Sequence, residues 1–422
     1  MDFYIVKGGN KLNGTVTISG AKNAALPIIV ASLLAEGTTV LHNVPNLKDI
    51  QTILQVIEYL GAHYQFDTNT NTLTIHVNSL KNAEVPYDLV KTMRASIYVM
   101  GPLLARCGEA DVSLPGGCAI GERPVDIHLS GFEALGTAIT IEHGYIKARV
   151  KKLNGNRFIM RKVSVGATAN IMMAAVLADG QTILENCAME PDVVDLGDFL
   201  ITMGAKIEGL GTERIIINGV KKLKPVSYSI IPDRIEAGTF LIAGAITRGN
   251  VTVNNVIPEH CNACIETLAD MGFVISGNDS SVTIEPSKKL QGSMVRTLPY
   301  PGFPTDLQAP IMSLMCTIPG ISVIIETIFE NRYTHVGELR RMGADIEIEG
   351  NTAIIKGGKQ LQAAPVLMSD LRAGASLVLA ALAARGKTEI RRIYHTDRGY
   401  ENFEQKLQAL GADIVRVKGG KP

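Results

Sequence analysis

The chain has 422 residues with 41 Lys+Arg against 41 Asp+Glu, so its formal net charge is zero; it is 46% hydrophobic and 19% charged. That composition supplies a sizeable core and excludes a disordered chain, while zero net charge argues against a general nucleic-acid or anionic-membrane binder, which needs a basic excess. No window approaches the roughly 18 apolar residues of a membrane helix, the opening MDFYIVKGGN lacks the basic-then-apolar pattern of a leader, and six scattered cysteines make no disulfide framework, so a cytoplasmic globular protein is expected.

Along the chain one unit recurs six times. After a strand at 3–7, the stretch 23–36 is apolar around most of its circumference and reads as a buried helix. A strand follows at 38–41, then an amphipathic helix at 47–60 and a strand at 72–77. A glycine closes the amphipathic helix in Leu60-Gly61-Ala62. The string returns as Leu135-Gly136-Thr137, Met203-Gly204-Ala205, Met271-Gly272-Phe273, Met342-Gly343-Ala344 and Leu410-Gly411-Ala412. These glycines stand 68 to 75 residues apart, the longest interval being the one before Gly136. A glycine there can take the left-handed conformation that stops a helix. Further buried helices read at 91–107, 167–179, 237–248, 306–319 and 372–385. Strands read at 182–185, 251–254, 345–348 and 352–355, and an amphipathic stretch at 403–410. Units of this length exceed solenoid repeats of about 20–50 residues, so closure into two domains of three units each is expected, dividing near 220–230. An extended repeat scaffold without chemistry is the alternative.

Cations stand where helix dipoles disfavour them. A helix N-terminus carries about half a positive charge, yet Lys22 opens the first buried helix, Arg372 the sixth, and Arg94 lies in the first turn of the second. Lys48, Arg123, Arg332 and Arg398 occupy equivalent starts of amphipathic helices in units one, two, five and six, whereas units three and four have Glu190, Asp192 and Glu259 there. Cations beside free helix N–H groups make an anion site. The competing reading neutralises them with neighbours such as Asp49, Asp126 and Asp397. An anionic ligand between the halves is expected.

The Gly-rich segment 114–124 breaks the repeat and reads as a functional loop. It holds Cys118, five residues from Arg123. A thiol near cations has a lowered pKa and can act as nucleophile or acid. Cys107, Cys187 and Cys316 lie among apolar neighbours and are expected to be buried. Cys261 and Cys264, after His260, form a C-x-x-C without a second ligand pair nearby, so it reads as incidental to the amphipathic helix of unit four. No nucleophile elbow, Walker loop, H-E-x-x-H or dinucleotide fingerprint is present. Asp306 stands at the start of the fifth buried helix, where a cap is worth about 1 kcal/mol; it can equally serve as a base towards a substrate hydroxyl.

Residues 20–24, 87–94, 114–127, 162–168, 232–236, 303–308, 370–376 and 394–400 together resemble the UDP-N-acetylglucosamine 1-carboxyvinyltransferases of the enolpyruvyl transferase family, over the whole length. The resemblance implies an α/β fold, a two-domain inside-out barrel in which the first strand joins the C-terminal half. Residues 1–21 with 230–422 would form one domain, and 22–229 with the cysteine loop the other. It implies transfer of enolpyruvyl from phosphoenolpyruvate to the 3-hydroxyl of UDP-N-acetylglucosamine in peptidoglycan synthesis, with small-molecule partners, no nucleic acid, no membrane, and no cofactor or metal. By the same resemblance Cys118 is the acid and can form a covalent adduct with phosphoenolpyruvate. Lys22, Arg123 and Arg398 hold phosphate, and Arg332 and Arg372 hold carboxylate. Asn23, Asp306 and Ile328 contact the sugar, with Asp306 the base. Arg94, Arg123, Pro124, Val125, Asp126, Ile127, Lys162, Val163, Ser164, Val165 and Gly166 bind the uridine diphosphate end. Ile328, where valine is common, and the loop residues Ala119 and Glu122 depart from the pattern without removing a functional group. Because Cys118 is kept, inactivation by fosfomycin is expected.

Overall fold

The computed structural model describes residues 2–90, 93–114, 125–287 and 289–419. Among them the strands form six four-stranded sheets with one plan. A short strand lies parallel to a second, the second is antiparallel to the last strand of the unit, and that strand makes a hairpin with the third. In the third unit these are Arg157–Ile159, Gln181–Glu185, Arg214–Asn218 and Lys206–Glu208. In the fifth they are Met294–Arg296, Gly320–Ile325, Thr352–Gly357 and Ile346–Glu349. The alternation of buried and half-buried residues along Thr72–Val77 and Thr352–Gly357 is that of a sheet with one face on a core.

Three sheets are completed from a distance. Ser227–Ser229 supplies the short parallel strand beside Gly37–His42 of the first unit. Asn13–Thr17 does the same beside Asn250–Asn254 of the fourth. Phe3–Lys7 lies between Lys387–Arg391 and Asp413–Val417 of the sixth, antiparallel to both. The chain divides into two compact units, one formed by the described residues of 2–19 and 232–419 and the other by those of 20–231.

Each compact unit has its own core around three central helices. In the unit of residues 20–231 these are Lys22–Ala31, Met100–Cys107 and Val165–Ala175. In the other they are Arg234–Ile246, Gln308–Thr317 and Leu371–Ala383. Their residues are almost all buried, as continuous apolar composition requires. Three of the expected helices are broken. The stretch 23–36 ends as α-helix at Ala31 and tightens into the 3-10 turn Ser32–Leu34. Among the described residues of 91–107 the C-terminal part, Met100–Cys107, is α-helix, preceded by the 3-10 turn Arg94–Val99. Helix 306–319 likewise starts as a 3-10 turn, Thr305–Leu307. Periodicity reports apolar faces and cannot distinguish i→i+3 from i→i+4 bonding.

The outer helices Lys48–Tyr59, Asp126–Ala134, Pro191–Thr202, Asn262–Asp270, Val336–Arg341 and Phe403–Ala409 all stop by the same device. The six unit glycines have φ between 90° and 108°. The next residue then donates its N–H to the carbonyl five residues back, Ala62 to Ile57 and Ala412 to Leu407 among them, at 2.9–3.1 Å in every unit. This is the Schellman ending. The residue after each glycine is buried, from Ala62 to Ala412, so the recurring tripeptide encodes a helix stop and the hydrophobic contact that seals it.

Candidate active site

In the unit of residues 20–231, Lys22 is the first residue of its helix, and its side chain is buried with Nζ 3.2 Å from Asp49 Oδ2. Asn23 beside it is half-buried. Lys48 is exposed, while Asp49, next to it, is buried in the first turn of the outer helix. Val125 precedes the helix that starts with Asp126 and Ile127, and Arg161 pairs with Asp126. Lys162 is exposed, with Val163, Ser164, Val165 and Gly166 half-buried behind it. Ser164 caps the third central helix by accepting from Ala167 N at 3.2 Å. A Cβ on Gly166 would meet the His128 ring at 3.2 Å, so this helix start packs closely on His128. That ring is fixed in turn: the Asn170 amide meets His128 Nδ1 at 3.1 Å and donates to Ile97 O at 2.9 Å. Arg94 starts its 3-10 turn. Cys118, Arg123 and Pro124, with most of the glycine-rich loop, lie outside the described residues.

In the other unit the three central helices begin with aspartates in different employment. Asp233 accepts from Ile235 N at 2.8 Å and Glu236 N at 3.0 Å. Asp370 accepts from Arg372 N and Ala373 N, both at 3.0 Å. These are caps that satisfy the free N–H groups of a helix start. Asp306 makes no cap; its 3-10 turn and the following helix have no side-chain cap bond. Instead Oδ1 takes Arg332 Nη2 at 2.7 Å, and Oδ2 takes Arg372 Nη2 at 2.9 Å and Nε at 3.2 Å. The structural reason for Asp306, a cap, is therefore corrected to an ion-paired carboxylate between two arginines.

Both guanidiniums are deeply placed, with side-chain exposures of 3% for Arg332 and 5% for Arg372. Burial opposes the Arg372 charge, but Asp306 and the adjacent Tyr400 and Asp233 outweigh it and hold the guanidinium above its usual range. The Arg372 guanidinium carbon lies 5.3 Å from the Tyr400 ring centre, and that of Arg332 lies 5.1 Å from the Phe329 ring, within cation–π range. The Nη1 atoms of both arginines are buried without a hydrogen-bond partner, as are both polar side-chain atoms of Gln308, two residues beyond Asp306. Native interiors satisfy such groups, so this end of the unit has donors available for an anion. Gln308 was not singled out by its sequence context, because a glutamine at a helix start has no chemistry of its own.

Ile328 is half-buried, its N–H 2.8 Å from Glu326 Oε1. Arg398 ends the 3-10 turn Ile393–Arg398 and is half-buried. Of the acids expected to neutralise the cations, Asp49 does so for Lys22, whereas Asp126 takes Arg161 and Asp397 takes Arg416.

Cys187, Cys261, Cys264 and Cys316 are buried. Burial pushes the thiols of Cys187, Cys261 and Cys316 up to about 12 and that of Cys264 higher still, the opposite of a reactive thiolate. Cys107 is exposed, against expectation. It is the last residue of a short helix ended by left-handed Gly108, with the core contacts made by Leu103 and Leu104. Among the described residues no His, Cys, Asp and Glu cluster is arranged to hold a metal, and no helix is long and apolar enough to cross a membrane.

Residues 6–407 match the family described as EPSP synthase (3-phosphoshikimate 1-carboxyvinyltransferase). The chain is 54% identical over 418 residues to the UDP-N-acetylglucosamine 1-carboxyvinyltransferase of Geobacter metallireducens, covering 99% of this chain and 100% of the relative. It is 52% identical over 419 residues to that of Myxococcus xanthus, with the same coverage. The enolpyruvyl transferase NikO from Streptomyces tendae has the same fold, with a TM-score of 0.89 at 25% identity over 99% of both chains. EPSP synthase from Acinetobacter baumannii, at 0.77 and 20% identity over 99% of this chain and 100% of its own, shares the fold alone. With full-length identity of this order, the chain belongs to the enolpyruvyl transferases, among the UDP-N-acetylglucosamine 1-carboxyvinyltransferases.

Proposed function

We propose that this protein transfers the enolpyruvyl group of phosphoenolpyruvate to the 3-hydroxyl of UDP-N-acetylglucosamine, releasing phosphate, in the cytoplasmic branch of peptidoglycan synthesis. The reading is supported by the full-length likeness to enzymes of that name. The geometry that carries it is the uncapped Asp306, gripped by Arg332 and Arg372, whose Nη1 donors stand open.

The chemistry is an addition and an elimination. A base takes the proton of the sugar 3-hydroxyl, and its oxygen bonds to C2 of phosphoenolpyruvate. An acid delivers a proton to C3. Loss of a C3 proton then restores the double bond as the C2–O–phosphate bond breaks and phosphate leaves. Asp306 is the base and Cys118 the acid. Lys22, Arg123 and Arg398 hold phosphate, Arg332 and Arg372 the carboxylate. Asn23 and Ile328 contact the sugar. Arg94, Arg123–Ile127 and Lys162–Gly166 take the uridine diphosphate. Both Asp306 oxygens are engaged by guanidinium groups in this structure. An arriving substrate anion competes for those guanidiniums and releases the carboxylate for proton transfer, which couples substrate binding to base activation. Both substrates are small anions, and the reaction calls for no cofactor, metal or nucleic acid.

The test is phosphate release from phosphoenolpyruvate. Release is expected only when UDP-N-acetylglucosamine is present. Equal release without the sugar, or release with 3-phosphoshikimate in its place, overturns the assignment.

A further inference from the structure

The repeats share a second position. Six residues after Gly37, Gly108, Gly180, Gly249, Gly320 and Gly386 stand Asn43, Leu114, Asn186, Asn255, Glu326 and Arg392. The three asparagines adopt left-handed φ of 56° to 57°, a conformation asparagine tolerates. Each donates its amide to a carbonyl at the end of the neighbouring parallel strand: Asn43 to Ile230 O at 2.9 Å, Asn186 to Met160 O at 2.8 Å, Asn255 to Ile18 O at 2.7 Å. This is a structural tie. The repeats that lack it are the second, fifth and sixth, which carry Cys118, Asp306 and Arg398.

In the fifth repeat the donor has become an acceptor. Glu326 is 2% exposed. Its Oε1 accepts from Thr297 Oγ1 at 2.8 Å, Ile328 N at 2.8 Å and Phe329 N at 3.1 Å. Its Oε2 accepts from Thr305 Oγ1 at 2.9 Å. One carboxylate therefore joins three segments: the end of the strand Met294–Arg296, the turn Thr305–Leu307 that bears Asp306, and the loop of Ile328 and Phe329 that leads to Arg332. A buried carboxylate is costly unless its lone pairs are satisfied, and here four neutral donors satisfy it.

We infer that Glu326 is a positioning residue that sets the Asp306 carboxylate against the sugar-contacting loop at Ile328, an inference that rests on the function proposed above. It works by span: one oxygen holds the Asp306 turn and the other the Ile328 loop. Aspartate keeps the charge but is one methylene too short to hold both. Glutamine keeps the length, and the Thr305 hydroxyl can turn to accept from its amide.

The experiment compares full-length wild type with Glu326→Asp, Glu326→Gln, Thr305→Val, Glu326→Asp/Thr305→Val and Asn255→Ala. It measures kcat, both KM values, Tm, and hydrogen exchange at the Leu307 and Ile328 amides. Turnover by the wild type tests the functional reading; the variant ratios and the exchange rates, which need no turnover, test this one. Glu326→Asp and Thr305→Val are expected to lower kcat about tenfold or more, with KM for phosphoenolpyruvate within about twofold and faster exchange at both amides. The double variant is expected to be no worse than Glu326→Asp alone, as residues of one network should be. Glu326→Gln is expected to hold kcat within about threefold, and Asn255→Ala to lower Tm with kcat unchanged. Glu326→Asp at wild-type kcat and exchange, Glu326→Gln as impaired as Glu326→Asp, or Asn255→Ala losing as much kcat per degree of Tm overturns the inference.

Discussion

Asp306 and Arg372 are joined through one oxygen, with Oδ2 taking Nη2 at 2.9 Å and Nε at 3.2 Å, while Arg332 holds the other oxygen. Asp233 and Asp370, at the starts of the other two central helices of this unit, spend their carboxylates on helix N–H groups. Asp306→Asn therefore removes no cap; it leaves two buried cations without their counter-charge. Breaking a buried pair costs about 3–5 kcal/mol. Asp306 is 26% exposed on its side chain, so a loss of about 2 kcal/mol is expected, together with a loss of turnover of at least about a hundredfold as the base disappears. Urea unfolding and phosphate release measure the two effects. An unchanged turnover would remove Asp306 from the proton transfer.

His335 predicts the response to acid. It is 1% exposed. Burial, and then the nearby Arg332 charge, depress its pKa to about 4 against the opposing pull of Asp370. Above pH of about 6.5 the ring is neutral folded or unfolded. As pH falls below that, the unfolded chain takes the proton first, so stability drops progressively until about pH 4, by roughly 3 kcal/mol in all. His335→Gln, neutral throughout, should flatten this slope between pH 7 and 4.5 in urea titrations. A parallel loss in parent and variant would assign the acid sensitivity elsewhere.

The repeat plan was legible because it depends on local chemistry. A glycine with positive φ between two buried residues is the same helix stop wherever it occurs, from Gly61 to Gly411. The strand exchanges were not legible in the repeats, because the pairing of Asn13–Thr17 with Asn250–Asn254 is a tertiary choice that leaves no mark on either segment. Lys22, Lys48 and Arg372 stand in first helical turns as the misplaced charges predicted, and Lys22 takes the neighbouring acid Asp49, but Arg332 lies before its helix and Arg398 ends a 3-10 turn. Asp397 stands next to Arg398 in the chain and binds Arg416 instead, since neighbours on a tight turn point different ways. Asp306 was visible as a candidate base yet also as an adequate cap, and the path of its two oxygens to Arg332 and Arg372 speaks against the cap. Glu326 was invisible as an isolated glutamate; it emerges when the six repeats are aligned on their strand glycines.

Cys118 is expected to react with fosfomycin. The drug should abolish turnover and add its mass to the peptide that contains Cys118, and phosphoenolpyruvate should slow the reaction if both meet the same thiol. Cys118→Ser should stop turnover at neutral pH, because a hydroxyl is a far weaker acid than a thiol. Full activity after excess drug with no mass change, or undiminished turnover by the serine variant, would exclude Cys118 from the mechanism.

Arg416 lies on the last strand, outside the proposed substrate contacts, yet it grips the residue beside Arg398. Its Nη1 and Nη2 meet the two oxygens of Asp397 at 2.9 and 2.7 Å, while Nε reaches Asp2 Oδ2 at 3.1 Å. Glu404, 3.5 Å from Nη1, also accepts from Tyr4 at 2.9 Å. The fork therefore fixes the turn from which Arg398 projects. A bidentate contact of this kind constrains orientation in a way a lysine point charge does not. Arg416→Lys should leave stability within about 1 kcal/mol, since the guanidinium is about a third exposed and solvent screens the pair. It should nevertheless raise KM for phosphoenolpyruvate several-fold while KM for UDP-N-acetylglucosamine stays put, because only Arg398, one of the proposed phosphate contacts, has lost its seat. Equal changes in both KM values would mean that Arg416 supports the unit as a whole, and no change in either would mean that the turn holds Arg398 without it.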